Sequence, residues 1–208
     1  MLALGDLCKA ANNALNGDAA SVEVLVRADV EQKCFMLEFQ LVQDLFGSVT
    51  SLLGTDSVKD AKDILEWLGI IGGGATGVFG LYKFLSKKKP DDTVSITNNT
   101  EEGSVTYQII GDGNSITVPE SVDKIAQDPR ALQAAKSLVS PLNREGYDSV
   151  SFEHDGNVAS YISRAEAAAI VAVEQEVLLS ARDGEHVSTI KTEVRIKRPV
   201  YELSLIHI

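Results

Sequence analysis

Residues 64–85 read ILEWLGIIGGGATGVFGLYKFL and run directly into Ser86-Lys87-Lys88-Lys89-Pro90. Six glycines fall within these 22 residues. Gly69, Gly73 and Gly77 stand four apart, with Gly72 and Gly80 beside that row. Such a run has few folded solutions. In water, an unbroken helix through so many glycines loses on the order of 5 kcal/mol relative to alanine. In lipid the same glycines are tolerated, because an unpaired backbone there costs more than poor helix propensity. A helix of this length covers roughly 33 Å, enough for the apolar layer. Glu66 and Lys83 are its only charges and lie toward its ends, and Trp67 and Tyr82 sit where interfacial aromatics are common. Lys83, Lys87, Lys88 and Lys89 form a basic cluster suited to anionic headgroups. The first expectation is therefore a membrane-associated helix. Its row Gly69, Gly73, Gly77 and Gly80 would pack against the same row of a second copy.

Two other solutions compete. A break at Gly72-Gly73-Gly74 gives a soluble helix–loop–helix, with Ile70, Ile71, Val78, Phe79 and Leu81 as core. The string from Gly72 to Gly77 also matches G-x-G-x-x-G formally. A dinucleotide fingerprint needs a strand before it and an acidic residue after a following parallel strand. The segment before it has helical periodicity, and the one after Pro90 reads as an antiparallel meander. The membrane solution has its own difficulty. The lysines belong on the cytoplasmic side, so residues before 64 would cross without a secretory signal, unless the insertion is shallow or re-entrant.

Outside this run the pattern is that of an α+β protein. Residues 2–15 carry Leu4, Leu7, Ala11 and Leu15 at helical spacing, closed by Asn16-Gly17. Residues 21–28 and 34–42 alternate apolar and polar and predict an antiparallel hairpin. Residues 43–53 and 56–68 predict two helices, the second running into the glycine stretch. Beyond Pro90 come a β-meander turned at Gly111-Asp112-Gly113-Asn114 and a helix opened by Asp128-Pro129. A hairpin follows over 147–153 and 158–162, turned at 154–157. Then come a helix behind the capping box Ser163-Arg164-Ala165-Glu166 and a weak strand at 187–197. The expected organisation is an N-terminal α+β segment (1–55), a helix running into the membrane-associated stretch (56–89) and a C-terminal α+β domain (90–202). The last six residues (203–208) resemble the translated end of a sequencing-library transposon. On that expectation the natural chain continues past Glu202, and His207 is no candidate for chemistry.

A net charge of −11 argues against a nucleic-acid surface, which needs clustered Lys and Arg. Cys8 and Cys34 lack the spacing of a disulfide framework or a metal site and are expected as small buried hydrophobes. His154 and His186 fall in polar turns or loops, and neither G-x-S-x-G nor H-E-x-x-H occurs. No catalytic residue, metal or cofactor is therefore expected. The sequence points to a bacterial, membrane-associated, non-catalytic binding or scaffold protein, with lipid and a further copy of itself as partners and its C-terminal domain on the cytoplasmic side. The alternative is a soluble cytoplasmic protein whose glycine-rich loop binds phosphate or is purely structural.

Overall fold

The structure, a computed structural model, describes residues 2–31, 34–45, 58–72, 75–154 and 157–179. Its class is α+β, as the sequence patterning predicts: short helices and three separate antiparallel sheets. The chain opens with α1 (Leu2–Asn16), which buries Leu4, Leu7, Cys8 and Ala11 at helical intervals. Gly17, at φ 54°, lets the chain turn. A 3-10 turn (Gly17–Ala19) leads into β1 (Ala20–Glu31), which pairs with β2 (Cys34–Leu45) in a two-stranded ribbon. The register runs without a bulge from Ala20 opposite Leu45 to Glu31 opposite Cys34. Of the helix expected over 43–53, residues 43–45 belong to β2 and residues 46–57 lie outside the described set.

Among its described residues the glycine-rich stretch is two short helices with turn residues between them. Helix α2 (Ala61–Leu68) starts later than its periodicity predicts, because the Asp60 side chain accepts a hydrogen bond from the Asp63 backbone and caps it. It ends at Gly69, whose φ of 82° is open to glycine and strained for other residues. Ile70 and Ile71 turn inward to the core. The second helix, α3 (Val78–Leu85), begins at Gly77 and buries six of its eight residues. Among the described residues no helix is long and apolar enough to cross a membrane. The transmembrane expectation is thereby corrected: each helix has eight residues, about 12 Å of rise. The oily composition of 64–85 supplies interior.

Strands β3 (Thr93–Asn99), β4 (Ser104–Ile110) and β5 (Ser115–Pro119) form the expected meander. Val94, Ile96, Val105, Tyr107, Ile109 and Val118 are buried and alternate along their strands, as one covered face requires. Helix α4 (Glu120–Gln127) follows directly. Helix α5 (Pro129–Val139) starts with Asp128 as N-cap and Pro129 in the first turn. A 3-10 turn (Ser140–Asn143) precedes the ribbon of β6 (Ser149–His154) and β7 (Asn157–Ser163). Helix α6 (Arg164–Ala172) carries the full capping box of Ser163 and Glu166, and α7 (Gln175–Leu179) is the last described element. The strand expected at 187–197 lies outside the described residues, as do His186 and the 203–208 tail. One apolar cluster runs from Leu4 on α1 through α2, α3 and the meander to Leu178 on α7, so buried residues on both sides of Pro90 share it.

Candidate functional site

The glycines named from sequence occupy unlike positions. Gly69 ends α2 and Gly77 begins α3, and the two touch within the chain. A methyl group on Gly77 would stand 2.7 Å from the Gly69 nitrogen, 2.8 Å from its Cα and 3.0 Å from the Trp67 carbonyl oxygen. At Gly77 the chain crosses closely over its own backbone. Gly80 is half-buried in α3, and Gly73 lies outside the described residues. Because the glycine turn joins two helices, it has no strand in front of it, which a phosphate-binding fingerprint requires.

The residues named for a lipid interface are also dispersed. Tyr82 is fully buried, and its hydroxyl donates to the Ala126 carbonyl at 3.2 Å. Burial, reinforced by the Asp128 carboxylate, pushes its pKa far above the ordinary phenol value. Trp67 is half-buried with the Lys59 ammonium 5.9 Å from its ring centre. Lys83 pairs with Glu166 at 2.9 Å. Lys88 donates to the Lys89 carbonyl, the Lys89 backbone donates to Asp92, and Lys87 is exposed.

Four polar groupings stand out among the described residues. The first is buried between β4 and α4, where the Tyr107 hydroxyl and the Gln127 amide (2.7 Å) both donate to one oxygen of Asp123. The Gln127 carbonyl in turn accepts from Gln175 at 3.0 Å. The second lies at the foot of the β1–β2 ribbon. Buried Asn12 donates to the Ala20 carbonyl at 2.7 Å and accepts from Asn16 at 2.9 Å. Asn16 and Gln43 both donate to the Lys59 carbonyl, and the Lys59 backbone donates to Asn16. The third joins Lys83 to the capping box. Partial burial alone would raise the Glu166 carboxyl, but hydrogen bonds and charge from Lys83 and Ser163 outweigh it and hold it below its ordinary value. The fourth is a shallow depression of about 710 Å³ lined by Ala14, Lys124, Gln127, Asp128, Pro129 and Arg130. Its carboxylate is committed: Asp128 accepts from the Arg130 side chain at 2.6 and 3.0 Å and from the Arg130 backbone at 2.8 Å. Those bonds hold its pKa below the ordinary value.

Each grouping closes on itself. Among the described residues every buried side-chain nitrogen and oxygen has a hydrogen-bond partner. Among them, too, no three His, Cys, Asp or Glu converge as metal ligands would. Cys8 is a poor nucleophile, since burial pushes its thiol up to about 12. The backbone of the β1–β2 ribbon is different. Neither outer edge carries a third strand among the described residues, and neither strand holds a proline, a glycine or a bulge to blunt it. Unpaired strand edges of this length are templates for another extended chain. Alternation in the sequence predicts this hairpin, but nothing in it reveals that only two strands pair here among the described residues.

Comparison of the chain with protein-family models, with curated proteins and with solved structures finds no match.

Proposed function

We propose that the protein is a non-catalytic binding module that presents the edge of its β1–β2 ribbon to an extended polypeptide. The observation that carries this is the ribbon itself: two twelve-residue strands without proline, glycine or bulge, with no third strand beside them among the described residues, rooted in an α+β body. Addition of a strand uses main-chain hydrogen bonds for affinity and alternate side chains for selectivity.

Helix α1 packs on β1 with Gly5 against Val24, where a methyl group on Gly5 would lie 3.9 Å from the Val24 Cβ. Fifteen helical residues rise about 22 Å, whereas twelve strand residues extend about 40 Å. Two strands alone are marginal in water and gain from a third. The test is amide hydrogen exchange on the full chain, alone and with a panel of ten-residue extended peptides of varied charge pattern. Bound peptides should slow exchange along the β1 or β2 edge. Peptides that bind without slowing those amides, or a panel from which none binds, overturn the proposal.

A further inference from the structure

Gly17 follows Asn16 for a conformational reason. The chain leaves α1 at φ 54°, a turn that a residue without a Cβ adopts at least cost. The pair so created is the only Asn-Gly in the chain. Glycine also leaves its own nitrogen unhindered, so that this nitrogen can attack the preceding asparagine side chain and close a five-membered ring. The fold blocks that reaction twice. Asn16 has φ −109° and ψ −12°. At that ψ the Gly17 nitrogen nearly eclipses the Asn16 backbone nitrogen, whereas ring closure needs it to eclipse Cβ. Reaching that position takes Asn16 out of the helical region. The side-chain amide is held as well. Its oxygen accepts from the Lys59 backbone at 2.8 Å, and its nitrogen donates to the Lys59 carbonyl and to Asn12 Oδ1, both at 2.9 Å. Parting of α1 from Lys59 breaks the two bonds to Lys59 together.

We infer that Asn16 is a deamidation site which the fold holds shut and which opening of the junction between α1 and Lys59 releases. In the opened chain the Gly17 nitrogen bonds to the Asn16 Cγ. The bond from Cγ to the amide nitrogen breaks, and that nitrogen leaves as ammonia with the proton of the Gly17 N–H. Water then adds to either carbonyl of the resulting succinimide and opens it to aspartate or isoaspartate. Water is the only co-reactant, and nothing is oxidised or reduced. The parent arrangement cannot then be rebuilt. An ionised carboxylate accepts hydrogen bonds and donates none. Aspartate in place of Asn16 turns both donations into oxygen facing oxygen, at Asn12 Oδ1 and at the Lys59 carbonyl. Asn12 cannot reverse its amide to help without withdrawing its own donation to the Ala20 carbonyl. Isoaspartate disturbs the site further, because it adds a carbon to the backbone at the end of α1. Each conversion therefore leaves a permanent mark of a past opening, at the point where α1, β2 and Lys59 are tied together. Asn114 gives the contrast within the same chain: it precedes the small Ser115 and is exposed between β4 and β5.

Peptide mass spectrometry of the full chain, incubated at mildly alkaline pH in buffer and in unfolding urea, tests the site. Asn16 should convert at least about tenfold faster in urea, because its folded rate is scaled by the fraction of time the junction is open. Asn114 should gain less. In buffer, Gln43→Ala removes a donor to the Lys59 carbonyl and should speed conversion of Asn16 more than Gly77→Ala does, although Gly77→Ala disturbs packing elsewhere. Asn16→Asp should lower the urea midpoint and speed amide exchange at the end of α1. Equal conversion of Asn16 in folded and unfolded chains overturns the inference, as does a rate in buffer that Gly77→Ala raises and Gln43→Ala does not. Asn16→Asp with the stability and exchange of the parent refutes the permanent mark.

Discussion

Gly77→Ala and Gly5→Ala are the same chemical change with opposite expected signs, and the structure supplies the magnitude of each. Gly77 has φ −81°, a conformation alanine accepts, so backbone strain contributes nothing there. The cost is steric. Its new methyl would meet three backbone atoms of Trp67 and Gly69 at 2.7–3.0 Å, and backbone cannot rotate aside as a side chain can. Overpacking of this kind costs about 1–3 kcal/mol, and the rigidity of the obstacle puts this site in the upper half. Stiffening of the unfolded chain by alanine returns about 0.4–1 kcal/mol. The net expectation is a loss of about 2 kcal/mol, or a melting temperature lower by roughly 4–8 °C for a chain of this size. At Gly5 the methyl would sit 3.9–4.0 Å from Val24, an ordinary contact, inside α1. Removing glycine from a helix interior should there stabilise by about 0.5–1 kcal/mol. Urea unfolding followed by circular dichroism reads both variants against the parent, with unchanged m-values confirming that the unfolded state is comparable. Had residues 64–85 been one continuous helix with Gly77 on a free face, Gly77→Ala would stabilise. A Gly77→Ala chain as stable as the parent refutes the crossing of Gly77 over Gly69.

Three further outcomes are expected. Asn12→Ala removes the donor to the Ala20 carbonyl and the acceptor for Asn16 in a buried setting, and should cost about 1–3 kcal/mol in urea unfolding; parity with the parent would dismiss the amide cluster as a fastener. In a Cys34→Ser background, Cys8 should resist a disulfide-exchange reagent at pH 8 until the chain unfolds, since its thiol is pushed up to about 12; prompt labelling of folded protein contradicts the burial. Asp128 has a folded pKa below its unfolded value, through its bonds to Arg130, so its charged form stabilises the fold. That contribution is complete above the unfolded value and fades as pH falls through the lowered folded one, so melting below about pH 4 should fall less steeply in Asp128→Asn, which keeps an N-cap acceptor, than in the parent. An identical acid limb in the two chains counts against the ion pair.

What the sequence revealed was chemistry that acts within a few residues. The Ser163–Glu166 capping box and the Asp128–Pro129 helix start are legible because cap and helix share one local segment. The strand alternations of β1, β2 and the meander are legible for the same reason. The glycine stretch misled because a helix covered on all sides and a helix in lipid present the same composition. Only the tertiary surroundings of Val78, Phe79, Leu81, Tyr82, Phe84 and Leu85 distinguish them. The pairing of Tyr107 with Asp123 joins a strand to the helix after the meander, and no spacing announces it. The number of strands beside the ribbon is illegible in principle, since a strand's own residues do not state how many neighbours it will have.

The amide cluster at the ribbon's foot sets how the ribbon sits on α1. Apolar packing of Val22 and Val24 on α1 is non-directional and would tolerate small slides of the ribbon. Asn12, Asn16 and Gln43 add direction: they tie α1, both strands and the start of α2 to common carbonyls at Ala20 and Lys59. A satisfied, partly buried network of this kind fixes one arrangement more sharply than its small net energy suggests. A strand edge held in a set orientation is already ordered before a partner arrives, so less entropy is lost on pairing. Loosening the foot should therefore weaken association even when every residue of the β1 edge is left intact. Asn16→Ala combined with Gln43→Ala separates the two effects. If orientation matters, this pair lowers the protection that a bound extended peptide gives the edge amides; if the edge acts alone, that protection survives as long as the chain stays folded.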